Sequence, residues 1–240
     1  MPDRTTVWTF ENWIGEPGAK AVFNGVSEQL FKKPFIAWRP DHRRNAGAGA
    51  QAAQWLQREG TDRIGRKPAS WRPEKRRHKG VGATWIKKHG KSHFGYKLSI
   101  NVDKKHKIIR RIETDTASTH DCQHFDNVFD TSNTSRDVYA DRGYPSEERE
   151  DWLKANEYRN QIQRKGKRNK PLSECQQQRN KRIARTRARV EYVFGAIEQM
   201  GGKLLRTIGQ TRANFAMTMM AACYNLKRLV YFGKSGMGAS

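Results

Sequence analysis

The hydrophobic positions of the chain follow two different periods. Over residues 5–33 the large apolar residues recur at helical spacing: Phe10, Trp13 and Ile14, then Phe23, Val26, Leu30 and Phe31. Gly15, Pro17 and Gly18 interrupt this run, so the segment predicts two helices. From residue 93 the period changes to two. Tyr96, Leu98, Ile100 and Val102 alternate with Lys97, Ser99 and Asn101, the pattern of a strand buried on one face. Asp103-Lys-Lys-His reads as a turn, and residues 107–116 return as a second strand with Ile108, Ile112 and Thr114 on one side. A hairpin is the expectation. Thr119-His-Asp121 offers capping oxygens to a helix over residues 121–130.

Further along, residues 137–140 predict a short strand ending at Asp141-Arg-Gly-Tyr-Pro. A helix over 146–156 and a strand within 160–170 follow. A long helix over 174–200 carries an apolar stripe of Ile183, Val190, Phe194 and Ile197 and stops at Gly201-Gly202. The last helix, over 212–232, is expected to bury Phe215, Met219, Ala222, Leu226 and Leu229. Between the first helices and the hairpin neither period is visible. Ala46-Gly-Ala-Gly-Ala offers almost no apolar area, so residues 38–70 read as a loop and 71–91 as a basic connector. The fold class expected is α/β, with helices on a small mixed sheet and an N-terminal segment of weaker order.

Composition changes the picture in one respect. Lys and Arg number 47 against 24 Asp and Glu, a formal charge of +23 in 240 residues. The cations cluster in runs such as Arg164-Lys-Gly-Lys-Arg-Asn-Lys. An excess of this size selects polyanionic partners, because each neutralised phosphate releases counterions. Cys122, Cys175 and Cys223 are odd in number and far apart, which fits neither a disulfide framework nor a zinc site. No stretch reaches the roughly 18 apolar residues of a membrane span. A cytoplasmic protein without a membrane is therefore expected.

Two carboxylates stand out. Asp141 lies where a strand gives way to a glycine-containing turn, a position where side chains open onto a ligand crevice. A turn aspartate is the plainer reading. Glu191 lies mid-helix in Arg187-Ala-Arg-Val-Glu-Tyr-Val-Phe, beside Val190 and Phe194. It reads either as a surface partner of Arg187 four residues earlier, or as a ligand for a hard divalent cation. Two carboxylates on a basic protein point to metal-assisted phosphodiester chemistry, in which two ions about 4 Å apart serve the attacking and leaving oxygens.

Five segments in order carry a resemblance: Lys88-His-Gly-Lys-Ser-His-Phe-Gly-Tyr-Lys, Thr114-Asp-Thr-Ala-Ser-Thr-His-Asp, Val138-Tyr-Ala-Asp-Arg-Gly-Tyr, Arg187-Ala-Arg-Val-Glu-Tyr-Val-Phe and Leu205-Arg-Thr-Ile-Gly. Over residues 92–232 the chain resembles the DDE transposases of bacterial insertion sequences, in the insertion-sequence-4-like superfamily and closest to the insertion-sequence-5 group. The resemblance implies an RNase H-like core. Asp141 and Glu191 would be the second and third catalytic carboxylates and metal ligands. Arg187 would lie near the scissile phosphate, with Lys97 and Arg142 as further DNA contacts. The implied reaction is hydrolysis at transposon ends followed by attack of the freed 3′-hydroxyl on target DNA, both with Mg²⁺, for which Mn²⁺ can substitute. Its partners would be double-stranded DNA, as terminal inverted repeats and target, and a second copy of the chain in a homodimer on paired ends.

The resemblance breaks at one place. The first catalytic aspartate belongs in an apolar strand shortly after Phe35-Ile36-Ala37, and by count Arg44 holds its position, with Asp41 nearby. Arg39-Pro-Asp-His-Arg-Arg-Asn-Ala-Gly-Ala-Gly-Ala-Gln can be encoded by codons that, in another frame, read Gly-Gln-Ile-Ile-Asp-Ala-Thr-Leu-Val-Pro-Ala-Pro. That is the family strand with its aspartate. We therefore expect a frameshift around residues 38–65 and an N-terminal truncation. The segments expected are a helical remnant over 1–34, an irregular basic connector over 35–91, a catalytic domain over 92–232 and a disordered tail over 233–240. The leading expectation is a transposase-derived protein impaired in catalysis. The alternatives are a basic nucleic-acid-binding protein without catalysis and a product that never folds stably.

Overall fold

The computed structural model describes residues 3–32, 45–47, 72–74, 83–88, 91–132, 135–166, 170–202 and 209–234. Its architecture is mixed α/β, with small sheets flanked by helices. In chain order the elements are α1 (Arg4–Lys32), β1 (Asn45–Gly47), β2 (Thr84–Lys88), β3 (Lys91–Val102), β4 (Ile109–Thr116), α2 (Phe125–Val128), β5 (Asp137–Ala140), α3 (Glu147–Ala155), β6 (Arg159–Ile162), α4 (Glu174–Ile197) and α5 (Gln210–Lys234). A 3₁₀ turn, Asp121–His124, leads into α2, so the helix expected over 121–130 is two short turns.

The sheets are β2-β3-β4, antiparallel throughout, and β1-β5-β6, parallel throughout. β1 also passes beside β3, with Cα atoms within 8 Å. An antiparallel group followed by a parallel group is compatible with the expected RNase H-like core. β1 corrects the reading of residues 38–70 as loop. Asn45–Gly47 pairs in parallel with Asp137–Tyr139, a tertiary partnership with no local signal. β2 similarly lies in a stretch read as connector, where Trp85 faces Phe94 across the antiparallel pair at a ring separation of 5.1 Å.

β3 departs from the expected one-sided burial. Tyr96, Leu98, Ile100 and Val102 are buried, and so are Lys97, Ser99 and Asn101 between them. Helix α2 covers that second face, and Asn101 Nδ2 donates to the Val128 carbonyl at 2.8 Å. A buried amide is tolerated because it is paired. Each fully buried Leu or Ile contributes about 1.5–3 kcal/mol of transfer free energy, so the apolar face anchors the hairpin.

The helices start where their caps allow. Ser146 accepts the Arg149 N–H at the head of α3. Ser173 and Gln176 form a reciprocal capping box at the head of α4. α4 runs into a π turn at Glu198–Gly202, where Gly201 takes φ 92°, a conformation open to glycine. Ile183, Val193 and Ile197 form its buried stripe, with Val190 and Phe194 partly buried beside them. On α5 the buried face is rotated from the expected one. Ala213, Met217, Ala221, Ala222, Tyr224, Asn225 and Phe232 face inward, while Leu226 is exposed. Asn225 explains the rotation: its amide accepts from the Ile109 N–H at 3.0 Å and donates to the Ile109 carbonyl at 2.8 Å.

α1 is kinked at Gly15, where φ is 59° and ψ −174°, so the two-helix expectation holds. Its second part packs on α5 through Phe23 and Leu30, and Ser27 meets Asn225. Its first part leaves Phe10 and Trp13 exposed, although their spacing pointed inward. Among the described residues no helix is long and apolar enough to cross a membrane.

Candidate active site

The site grows from the carboxyl end of β5. This strand lies between β1 and β6, and its Val138 and Ala140 join Phe125, Tyr144 and Leu153 in a compact cluster. The chain must turn after Ala140. Asp141 makes the turn: its carbonyl accepts the Tyr144 N–H at 3.1 Å and its Oδ1 accepts the Arg142 N–H at 2.7 Å. Tyr144, 1 % exposed, pins the far side. The turn reading of Asp141 is therefore true of its geometry, yet the carboxylate still emerges at the strand end with its side chain 45 % exposed.

Helix α4 brings the counter-charge. Arg187 Nη1 lies 3.2 Å from Asp141 Oδ1 and 3.3 Å from Gln163 Oε1. The guanidinium is 17 % exposed. This changes the assignment of its partner: the nearest-neighbour rule on a helix pairs Arg187 with Glu191, whereas the fold delivers Asp141 from 46 residues away.

Three polar anchors hold α4 in this register. Arg179 donates to the Ile162 and Asn160 carbonyls at the end of β6. Asn180 and Arg164 exchange two hydrogen bonds, at 3.0 and 2.9 Å. Gln163 donates to the Asn180 carbonyl at 3.1 Å while its oxygen receives Arg187. Burial lowers the pKa of Arg179, and the adjacent Arg164 lowers it further. None of these anchors was singled out from sequence. Their only signal was a polar run where β6 ends.

Glu191 is exposed, one helical turn beyond Arg187 on the same side of α4. The structure thus joins Asp141 and Arg187 directly and sets Glu191 on the same helix face. Arg142 is exposed next to Asp141. Lys97 lies elsewhere: it is 4 % exposed and its ammonium donates to the Thr119 carbonyl. There it joins a turn built from Thr116, Ser118 and Thr119, in which the two threonine hydroxyls are 3.0 Å apart and the Ser118 N–H donates to Thr84 Oγ1. Asp41 and Arg44 lie outside the described residues, as do positions 205–208 of the fifth sequence segment. Among the described residues no three or more His, Cys, Asp or Glu side chains are grouped to hold a metal ion.

The chain matches the transposase DDE domain family over residues 68–226. It is 35 % identical over 117 residues to the transposase for insertion sequence element IS1106 of Neisseria meningitidis serogroup B. That alignment covers 49 % of this chain and 40 % of the relative, so the chain spans well under half of the curated protein it matches. No solved structure matches it. With the matched span running from before β2 almost to the end of α5, and Asp141, Arg187 and Glu191 inside it, this chain belongs to the transposase DDE domain family.

Proposed function

We propose that this protein binds double-stranded DNA at the ends of an insertion sequence through the cleft between β5 and α4, and that its strand cleavage and transfer are impaired. The observation that carries the reading is the Asp141–Arg187 contact at 3.2 Å. It sets a carboxylate and a guanidinium at a strand end, on a chain of charge +23 that belongs to a transposase family. Arg187 and the exposed Arg142 are the phosphate contacts in this reading. Asp141 and Glu191 are the two carboxylates of the family reaction that the chain retains. Lys97, buried and bonded to the Thr119 carbonyl, is assigned to that turn in this reading.

A divalent cation is the expected cofactor, because Mg²⁺ and Mn²⁺ favour hard oxygen ligands. The donor set among the described residues does not fit a two-ion site. Oδ1 of Asp141 is already taken by Arg187 and the Arg142 N–H, and among the described residues no group of three or more His, Cys, Asp or Glu forms there. Arg44, at the place of the first family carboxylate, is part of the same proposal: a cation there repels a metal that an aspartate would bind. The proposed origin of Arg44 is a frameshift around residues 38–65, and the proposed assembly is a homodimer on paired ends.

Duplex binding followed by fluorescence anisotropy across a salt series tests the reading. A protein making roughly 6–10 phosphate contacts loses about 10³–10⁵ in affinity between about 50 and 200 mM salt. Arg142→Ala is expected to weaken binding and to reduce the salt slope by about 0.9. Absence of duplex binding, or binding indifferent to salt, overturns the proposal. The rival reading, a nucleic-acid-binding protein without catalysis, is favoured by Arg44. It wins if Asp141→Ala and Glu191→Ala leave every measurable activity unchanged.

A further inference from the structure

A second basic concavity lies on the other side of α4. It is bounded by the β3–β4 turn, the last turns of α4 and the C-terminal half of α5, with a volume of about 660 Å³. Its wall carries Lys105, Lys107, Lys227 and Arg228 together with Tyr192 and Tyr231, and none of its lining residues is acidic. The size falls in the range of about 300–1,000 Å³ typical of ligand sites.

The cations and the rings are interleaved. Lys107 Nζ sits 3.9 Å from the Tyr192 ring centroid. The Arg228 guanidinium stacks over Tyr231 and Phe232 at 4.8 and 4.6 Å. Yet Tyr192 and Tyr231 remain 53 % and 55 % exposed, so much of each ring is open to solvent. The wall is also rigidly built. Tyr224 donates its hydroxyl to the Lys107 carbonyl at 2.7 Å, and Arg228 donates twice to the His106 carbonyl at 3.0 and 2.8 Å. Burial pushes the Tyr224 phenol up to about 12, so it stays a donor. Lys107 itself adopts φ 57°, a left-handed conformation that non-glycine residues seldom take. Local strain of this kind is retained where surrounding contacts impose it, and it concentrates at functional positions.

Positive charge that tracks a phosphate backbone, combined with exposed aromatic faces, is the recognition chemistry of unpaired nucleic acid. A paired duplex offers phosphates but hides its base faces. We infer that this groove binds single-stranded DNA, with phosphates on Lys105, Lys107, Lys227 and Arg228 and bases stacked on Tyr192 and Tyr231. Tyr192 follows Glu191 directly, about 100° further around α4. The groove thus begins one residue beyond Glu191 on α4. The inference shares with the proposed function only the assumption that the polyanionic partner is DNA; its site and its strand state are separate.

The test is anisotropy of labelled oligothymidylate and of a duplex of equal length, with the full chain and two double variants at exposed positions. Tyr192→Ala with Tyr231→Ala is expected to weaken oligothymidylate binding by about tenfold or more and duplex binding by less than about threefold. Lys105→Gln with Lys227→Gln is expected to reduce the single-strand salt slope by about 1.4. Equal losses on both DNAs, no loss on oligothymidylate, or no oligothymidylate binding by the parent chain overturns the inference. A parent that binds the single strand in a tyrosine-dependent way but ignores the duplex defeats the proposed function alone.

Discussion

Arg187→Ala separates two roles for the contact at the heart of the cleft: support of the fold and readiness for DNA. Arg187 touches an Asp141 side chain that is 45 % exposed and a Gln163 residue that is 4 % exposed. The first contact is close to a surface ion pair, which solvent screens to about 0.2–1 kcal/mol. The second satisfies a buried acceptor, and an orphaned buried acceptor costs about 1–3 kcal/mol. Arg187→Ala should therefore destabilise by about 1–3 kcal/mol, mostly through Gln163. At about 2–4 °C per kcal/mol for a chain of this length, that is a drop of roughly 2–12 °C in Tm. Asp141→Asn should cost less than about 1 kcal/mol. A double-mutant cycle by urea unfolding should then give a coupling of about 0.2–1 kcal/mol. A coupling well above about 2 kcal/mol, or an Asp141→Asn cost equal to that of Arg187→Ala, would refute the reasoning. Asp141 would then be a structural partner of α4 and not a carboxylate held for the cleft.

Two further predictions concern the frame around the site. Asn225, 0 % exposed, satisfies both main-chain groups of Ile109, so Asn225→Leu should destabilise by about 2–5 kcal/mol, read as a lower urea midpoint at unchanged m. Asp130 is nearly enclosed, with Arg110 and Ser132 on its oxygens. Burial pushes its carboxyl up, but the Ser132 hydroxyl and the Arg110 charge outweigh this and hold it below 3.8. A lowered folded value means stability that is present above the unfolded value and lost as pH falls through the folded one. Between about pH 5 and pH 3 the parent should lose more stability than Asp130→Asn. Glu113, raised by burial ahead of the attraction from His124, titrates in the opposite sense in both proteins and cancels in the difference.

How much of this was legible without coordinates depends on the range of the interaction. β5 over Asp137–Ala140 and the start of α4 at Glu174 follow from local pattern, and both stand where expected. The alternation in β3 was legible, but its consequence was not. Lys97 and Asn101 look solvent-facing until the Thr119 and Val128 carbonyls supply their partners. β1 needed β5 to become a strand. Arg187 has a plausible partner one turn away in sequence and a different one in space. The basic groove escaped notice because Lys107, Tyr192 and Arg228 come from three separate elements.

The most direct test is a cleavage assay with duplex DNA carrying the element's own ends, in Mg²⁺ and in Mn²⁺. The proposed function predicts that the protein retains the duplex and nicks it only weakly, with that residual nicking lost in Asp141→Ala. Robust nicking at the element end, abolished by Asp141→Ala, would contradict it.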